Sequence, residues 1–427
     1  MIVSLVVVLL FVLLASGIPV AFAMAVSVGI GLYAYGGIGM LYGILKTSPL
    51  STANSYEIIT IPMFILMAEF VIASGTAKDL FNSAAVWVGR VRGGLAMATA
   101  LAGAGFGAIS GSSTASAATL AATSIPSMLS KGYDPKLAGG AVAISGTLAM
   151  LIPPSIALIL YGIIADVSIG KLLVAGVIPG LFVTVAIMFT VAVVVYFDPA
   201  AAPIGRAYTM GEKLASLRGV GPMVALFVAV TAVIYTGIAT PTEASAIGAF
   251  GAMVLALWKG RLSVRTLWDS LLRASQTTCM ILLIILGAHI FGYFFTITRV
   301  TNDIVTWVEA LSLAPILVIL VLLLILVILG AFMDQVAILI LTVPVFLPLV
   351  KALGFDPIWF GVIFVVTAEV GMVTPPLGMN VFVVSRYTGR PVTEVFRGSF
   401  PHIIAHIIVI AILTAFPAII LWLPNTM

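Results

Sequence analysis

Pro153-Pro154 and Pro375-Pro376 stand 222 positions apart, and the same offset aligns much else without a gap. Gly132-Tyr133-Asp134-Pro135 falls on Gly354-Phe355-Asp356-Pro357, Gly139 on Gly361, Met150 on Met372, Gly176 on Gly398 and Pro179 on Pro401. Upstream, Pro126 falls on Pro348, and the polar stretch around Ser112 falls on Asp334. Trp87 pairs with Trp307 at an offset of 220, a small slip of register. Apolar composition does not by itself place Gly, Pro and Asp at one spacing. The chain is a duplicated unit, and its fold must be built twice.

That unit belongs in a membrane. Hydrophobic residues make up 62% of the 427 and charged residues 8%, whereas a soluble domain carries about 25% charged residues. This excludes a soluble enzyme, a disordered chain and a nucleic-acid-binding protein. The net charge of +4 comes from short basic loops between apolar runs, where the positive-inside rule puts them. The single cysteine, Cys279, allows no disulfide framework. The run 3–34 lacks the basic start of a signal peptide and is expected to stay as a first transmembrane helix.

About 20 helical residues cross a bilayer core of roughly 30 Å. The apolar runs 93–130 and 314–350 are too long for one crossing, and each is interrupted at its middle, by Ser110-Gly111-Ser112-Ser113-Thr114 and by Met333-Asp334-Gln335. Each predicts a re-entrant helical hairpin, whose irregular tip must face protein or a watery cavity. In 136–164 and 357–385 the proline pairs remove two donors and force the helix to unwind. The basic residues, from Lys78, Arg90 and Arg92 through Lys131 and Lys136 to Lys259, Arg261 and Arg265, gather at the base of hairpin one, while the base of hairpin two carries only Arg299 and Lys351. The expected fold is therefore an all-α polytopic membrane protein of inverted repeats, with two re-entrant hairpins and two Pro-Pro-broken helices. Residues 1–92 and 199–313 are assigned to scaffold and arms, 93–198 and 314–427 to transport elements.

The polar residues follow from this frame. Hydroxyls and freed carbonyls at an unwound tip are hard oxygen ligands suited to Na⁺, and the helix after the tip offers amides to a carboxylate. Pro153-Pro154 frees carbonyls at Ala149 and Ile152 among others, and repeat two supplies the same parts from Gly371 to Asn380, facing Asp334 and Gln335. The intramembrane acids are Glu69, Asp334 and Glu369. Asp334, at a tip, is the foremost candidate for compensating a cation. Glu369 replaces Thr147 of repeat one, and Glu69 reads as a cap or staple between helices. Arg386 reads first as snorkelling to the interface, with a clamp on a substrate carboxylate as the other reading. His289, His402 and His406 read as packing residues, and Thr240-Pro241-Thr242-Glu243-Ala244 as a loop and helix cap.

Gly-Ala-Ile-Ser-Gly-Ser-Ser at 107–113, Pro-Pro-Ser at 153–155, Thr-Pro-Thr-Glu-Ala at 240–244 and Thr-Pro-Pro-Leu-Gly at 374–378 resemble the large membrane subunit of tripartite ATP-independent periplasmic (TRAP) transporters, over essentially the whole chain. The resemblance implies an Na⁺-coupled elevator of the ion-transporter superfamily fold in the bacterial inner membrane. It implies two partners: a small four-helix membrane subunit, here expected as a separate chain, and a periplasmic substrate-binding protein. Substrates of such systems are mostly organic acids, among them C4-dicarboxylates, sialic acid and keto acids. Carried over, the first Na⁺ site comprises Ser110 and Ser112 with backbone at Ala149, Ile152 and Pro154, Ala149 standing where the family often has Gly. The second comprises Asp334 with Gly371, Thr374 and Pro376. Substrate contacts are expected among Ser112, Ser113, Ser155, Gln335, Asn380 and Arg386.

Two other functions fit parts of the pattern. A stand-alone Na⁺/dicarboxylate symporter of the same superfamily usually carries Ser-Asn-Thr tips, unlike Ser-Gly-Ser-Ser-Thr and Met-Asp-Gln-Val here. An intramembrane lipid-phosphate hydrolase needs convergent acids, Arg and His near the tips, and the tips offer one Asp and no basic residue. The chain is thus expected to carry, not to catalyse.

Overall fold

The computed structural model describes residues 2–427, apart from the side chains of Ala77 and, in the first tip motif, Ala108 and Ile109. All regular structure among them is helical. The chain opens with α1 (Ile2–Ala15), α2 (Val20–Ala53), α3 (Thr60–Ala73) and α4 (Thr76–Val88). Repeat one continues through α5 (Gly94–Ser110), α6 (Ser113–Ser130), α7 (Pro135–Thr147), α8 (Ile156–Ala165), α9 (Ile169–Ala175) and α10 (Val177–Phe197). Then come α11 (Met210–Tyr235), α12 (Pro241–Trp258), α13 (Val264–Ile297) and α14 (Val300–Ala310). Repeat two ends the chain with α15 (Pro315–Gly330), α16 (Gln335–Ala352), α17 (Pro357–Gly371), α18 (Met379–Thr388), α19 (Val392–Ala415) and the short α20 (Ala418–Leu421).

The offset of 222 carries α6 onto α16 end for end. Local chemistry explains why the boundaries recur. Gly132 and Gly354 both sit at φ +82°, the left-handed stop that spares glycine a Cβ clash. Two residues later an aspartate caps the next helix and a proline fills its first turn. Asp134 Oδ1 accepts the Lys136 amide at 2.8 Å, and Asp356 Oδ1 accepts those of Ile358 and Trp359 at 2.7 and 3.2 Å. Both helices then stop at the proline pairs.

The repeats interlock. The second half of each broken helix packs on the other repeat's hairpin, α8 against α16 and α18 against α6. Each unit therefore buries its middle only in the presence of the other. The basic loops meet at one end of the molecule: Lys259 Nζ donates to Asp79 Oδ2 at 2.9 Å and to the Gly219 carbonyl at 3.0 Å, and the Asp134 amide donates to the Ala201 carbonyl at 2.8 Å.

The outer surface is apolar like the core, and the core also holds polar groups. Phe189, Tyr196, Ile238 and Val264 project outward, while Ser113, Ser145, Thr147, Gln335, Glu369 and Asn380 are fully buried. Among the described residues, eight helices are long and apolar enough to cross a membrane. One expectation is corrected: the run 3–34 is not one helix. Gly17 at φ +84° ends α1 and Pro19 precedes α2, so a turn hides inside an unbroken apolar stretch.

In repeat two the hairpin touches the break backbone to backbone. A Cβ on Gly371 would stand 2.5 Å from Gly330 Cα and 2.6 Å from the Val327 carbonyl oxygen. Gly371→Ala is expected to destabilise the folded protein by roughly 1–3 kcal/mol, the range for overpacking, read as a lowered thermal unfolding midpoint in detergent. Ala149 occupies the matching place in repeat one and already carries its Cβ, so Ala149→Gly should cost much less.

Candidate functional site

The first tip is two residues long. Gly111 adopts φ +55° and closes α5, its amide bonding the Gly107 carbonyl at 3.3 Å. Ser112 is extended and caps α6, its Oγ accepting the Ala115 amide at 3.4 Å. Ser110 Oγ donates to the Ser112 carbonyl at 3.1 Å and lies 2.5 Å from Ser116 Oγ. In the second tip Asp334 caps α16, its Oδ2 accepting the Val336 amide at 3.1 Å.

Each tip is seated on a proline break. A Cβ on Gly107 would lie 2.8 Å from the Ala149 backbone, so α5 meets the first break at van der Waals contact. At the second, the Gly378 amide donates to the Ala331 carbonyl at 3.2 Å. Among the described residues no hydrogen bond ends on the carbonyls of Ala149, Ile152 or Pro154. In repeat two the Gly371 carbonyl accepts the Thr374 amide at 2.9 Å, and Thr374 Oγ1 donates to the Val370 carbonyl at 2.6 Å. The first break is largely enclosed, whereas Pro375, Pro376 and Leu377 are exposed.

Both tips open on one cavity of about 600 Å³, lined among others by Ser110, Ser112, Thr114, Met150 and Asp334. Its far wall is built from Glu69 and Ile72 of α3, residues of α13 from Thr277 to Ile284 on the facing side, and the start of α2 from Pro19 to Phe22. Glu69 sits in the last turns of α3, and Thr277 lies in the first half of α13.

Of the residues expected in the ion and substrate sites, the cavity gathers Ser110, Ser112 and Asp334. The others lie elsewhere. Ser113 is fully buried and its Oγ accepts from Asn380 Nδ2 at 2.7 Å, a bond joining the repeats. Asn380 also reaches the Ala143 carbonyl at 3.2 Å. Gln335 turns away from the cavity, its Nε2 donating to the Val365 carbonyl at 3.3 Å. Ser155 caps α8, its Oγ accepting the Leu158 amide at 3.2 Å and donating to the Met150 carbonyl. Arg386 is exposed in the last turn of α18, outside the cavity lining. Glu369 is fully buried, with neither carboxylate oxygen hydrogen-bonded among the described residues.

Glu69 does staple helices: its Oε2 accepts Arg273 Nε at 2.7 Å, joining α3 to α13. Arg273 went unnoticed in the sequence because it precedes the apolar run 275–298, although α13 begins well before that run. Its usable signal is spacing, one helical turn before Thr277. Thr240 and Glu243 form a reciprocal cap on α12, as expected: Glu243 Oε2 accepts the Thr240 amide at 2.8 Å, and Thr240 Oγ1 accepts the Glu243 amide at 3.3 Å.

The chain is similar to the large permease protein DctM of a C4-dicarboxylate TRAP transporter from Pseudomonas aeruginosa, 36% identical over 88% of this chain and 87% of that one. It is also similar to the isethionate TRAP transporter permease protein DctMQ of Oleidesulfovibrio alaskensis, 32% identical over 95% of this chain and 64% of that one. Its fold matches the YdaH transporter of Alcanivorax borkumensis, whose crystal structure is described as having an unusual topology, with a TM-score of 0.63, 14% identity and 88% of each chain covered. The family model of the tripartite ATP-independent periplasmic transporter DctM component matches residues 7–419. With hairpins, breaks and spans in place, the chain belongs to that family, as a multi-pass inner-membrane protein.

Proposed function

We propose that this large permease subunit imports an organic acid by coupling it to Na⁺ and moving it as an elevator. In this reading residues 93–198 and 314–427 carry the cargo against a scaffold of 1–92 and 199–313. The observation that supports it is the shared cavity, into which a hydroxyl-bearing tip and a carboxylate-bearing tip project from two related halves.

Na⁺ is a co-substrate here, and the donor sets suit it. The first site would draw on Ser110, Ser112 and the unused carbonyls of Ala149, Ile152 and Pro154, all hard neutral oxygens. The second would add the Asp334 charge to backbone at Gly371, Thr374 and Pro376. The basic end is cytoplasmic by the positive-inside rule. A small membrane subunit and a periplasmic binding protein complete the system, and the acid is a C4-dicarboxylate, sialic acid or related carboxylate.

Uptake by the reconstituted three-component system is expected to require an inward Na⁺ gradient and to collapse when K⁺ or choline replaces Na⁺. Equal uptake in Na⁺-free medium would overturn the coupling.

A further inference from the structure

We propose that Arg273 binds the oxyanion group of the substrate at the mouth of the cavity, through guanidinium nitrogens that Glu69 leaves free. The inference rests on the organic-acid reading above. It begins from charge: the two charged residues lining the cavity, Glu69 and Asp334, are both acidic. A carboxylate or sulfonate entering there meets like charge in a partly desolvated space, where repulsion is strong. Coupling ions would neutralise the Asp334 side. The far wall needs a cation of its own.

Arg273 is the cation attached to that wall. Its Nε–H donates to Glu69 Oε2 at 2.7 Å, the one hydrogen bond its guanidinium makes among the described residues. Both Nη groups, with four N–H donors, remain available. The side chain is 50% exposed while Glu69 is 16% exposed, so the carboxylate is the anchored partner and the guanidinium the open one. Arg273 stands just outside the residues that line the cavity, bonded to Glu69 and one turn before Thr277, both of which line it. A planar guanidinium offers paired donors to a carboxylate or sulfonate, which an ammonium group does not. Glu69 then has two effects. It holds Arg273 in place, and it competes with the substrate for it, so that a bound anion can leave.

The same pair could serve only to staple α3 to α13, and the two roles separate cleanly. A staple alone changes anion binding in the same direction whichever partner is removed. An anion site does not: Arg273→Gln removes the ligand, whereas Glu69→Gln removes its competitor.

The test is equilibrium binding of labelled succinate and labelled isethionate, at saturating Na⁺, to the purified membrane complex of this chain with its small subunit. Arg273→Gln is expected to weaken binding of whichever anion the wild type takes by about tenfold or more, with the apparent Na⁺ affinity unchanged. Arg273→Lys should fall between the two, Glu69→Gln should tighten binding, and the double variant should follow Arg273→Gln. Thermal unfolding midpoints, lowered alike in Glu69→Gln and Arg273→Gln, separate the lost staple from the lost ligand. Unchanged anion affinity in Arg273→Gln, or equal weakening in both single variants, overturns the proposal and leaves the transport function standing. Failure of the wild type to bind either anion overturns the organic-acid reading for these classes, and this inference with it.

Discussion

Asp334→Asn is expected to abolish Na⁺-driven uptake while leaving the protein folded in the membrane. The asparagine keeps an oxygen where Asp334 Oδ2 now accepts the Val336 amide, so the α16 cap survives. What disappears is the charge. A cation in a low-dielectric site without compensation costs several kcal/mol, and every ~1.4 kcal/mol demands tenfold more ion. Raising Na⁺ should therefore rescue little. Ser112→Ala gives the contrast. It removes one neutral oxygen of about five at the first ion, so apparent Na⁺ affinity should fall and high Na⁺ should partly restore uptake. Ser127→Ala, in the returning arm of the same hairpin, should be nearly silent. The measurement is Na⁺-titrated uptake at matched membrane expression. Normal transport by Asp334→Asn would move the second site to Gln335 or to the backbone around Thr374.

The second large effect is dependence on partners. This chain alone in liposomes should not concentrate an organic acid, because free substrate meets only a weak site between the hairpins. Adding the small membrane subunit and the loaded binding protein should restore uptake. Robust accumulation by this polypeptide alone would favour a stand-alone symporter, with which the hairpin architecture is equally compatible.

Several elements of the fold were legible in the sequence because they are written locally. Gly132 and Gly354 stop helices through their own backbone freedom, and Asp134 and Asp356 start the next ones through their own carboxylates. The proline pairs end α7 and α17 because a proline has no amide to give. The tips at Ser112 and Asp334 follow from run length, since neither 93–130 nor 314–350 can be one crossing. The turn at Gly17 and Pro19 was also local, but its neighbours are so uniformly apolar that the signal was passed over.

The candidate site was only half legible. Ser110, Ser112 and Asp334 do share a cavity, yet Ser113 and Gln335, each one position further along, and Asn380 on α18 point into helix contacts instead. The sequence determined that this chain is a duplicated membrane protein with two tips and two broken helices. Only the tertiary structure decided that α8 crosses to α16, that α18 crosses to α6, and that Glu69 meets Arg273 from 204 positions away. The physical reason lies in the solvent. In water a helix announces its buried face by apolar periodicity, but lipid is as apolar as the core, so all faces of a membrane helix read alike and packing chooses among them.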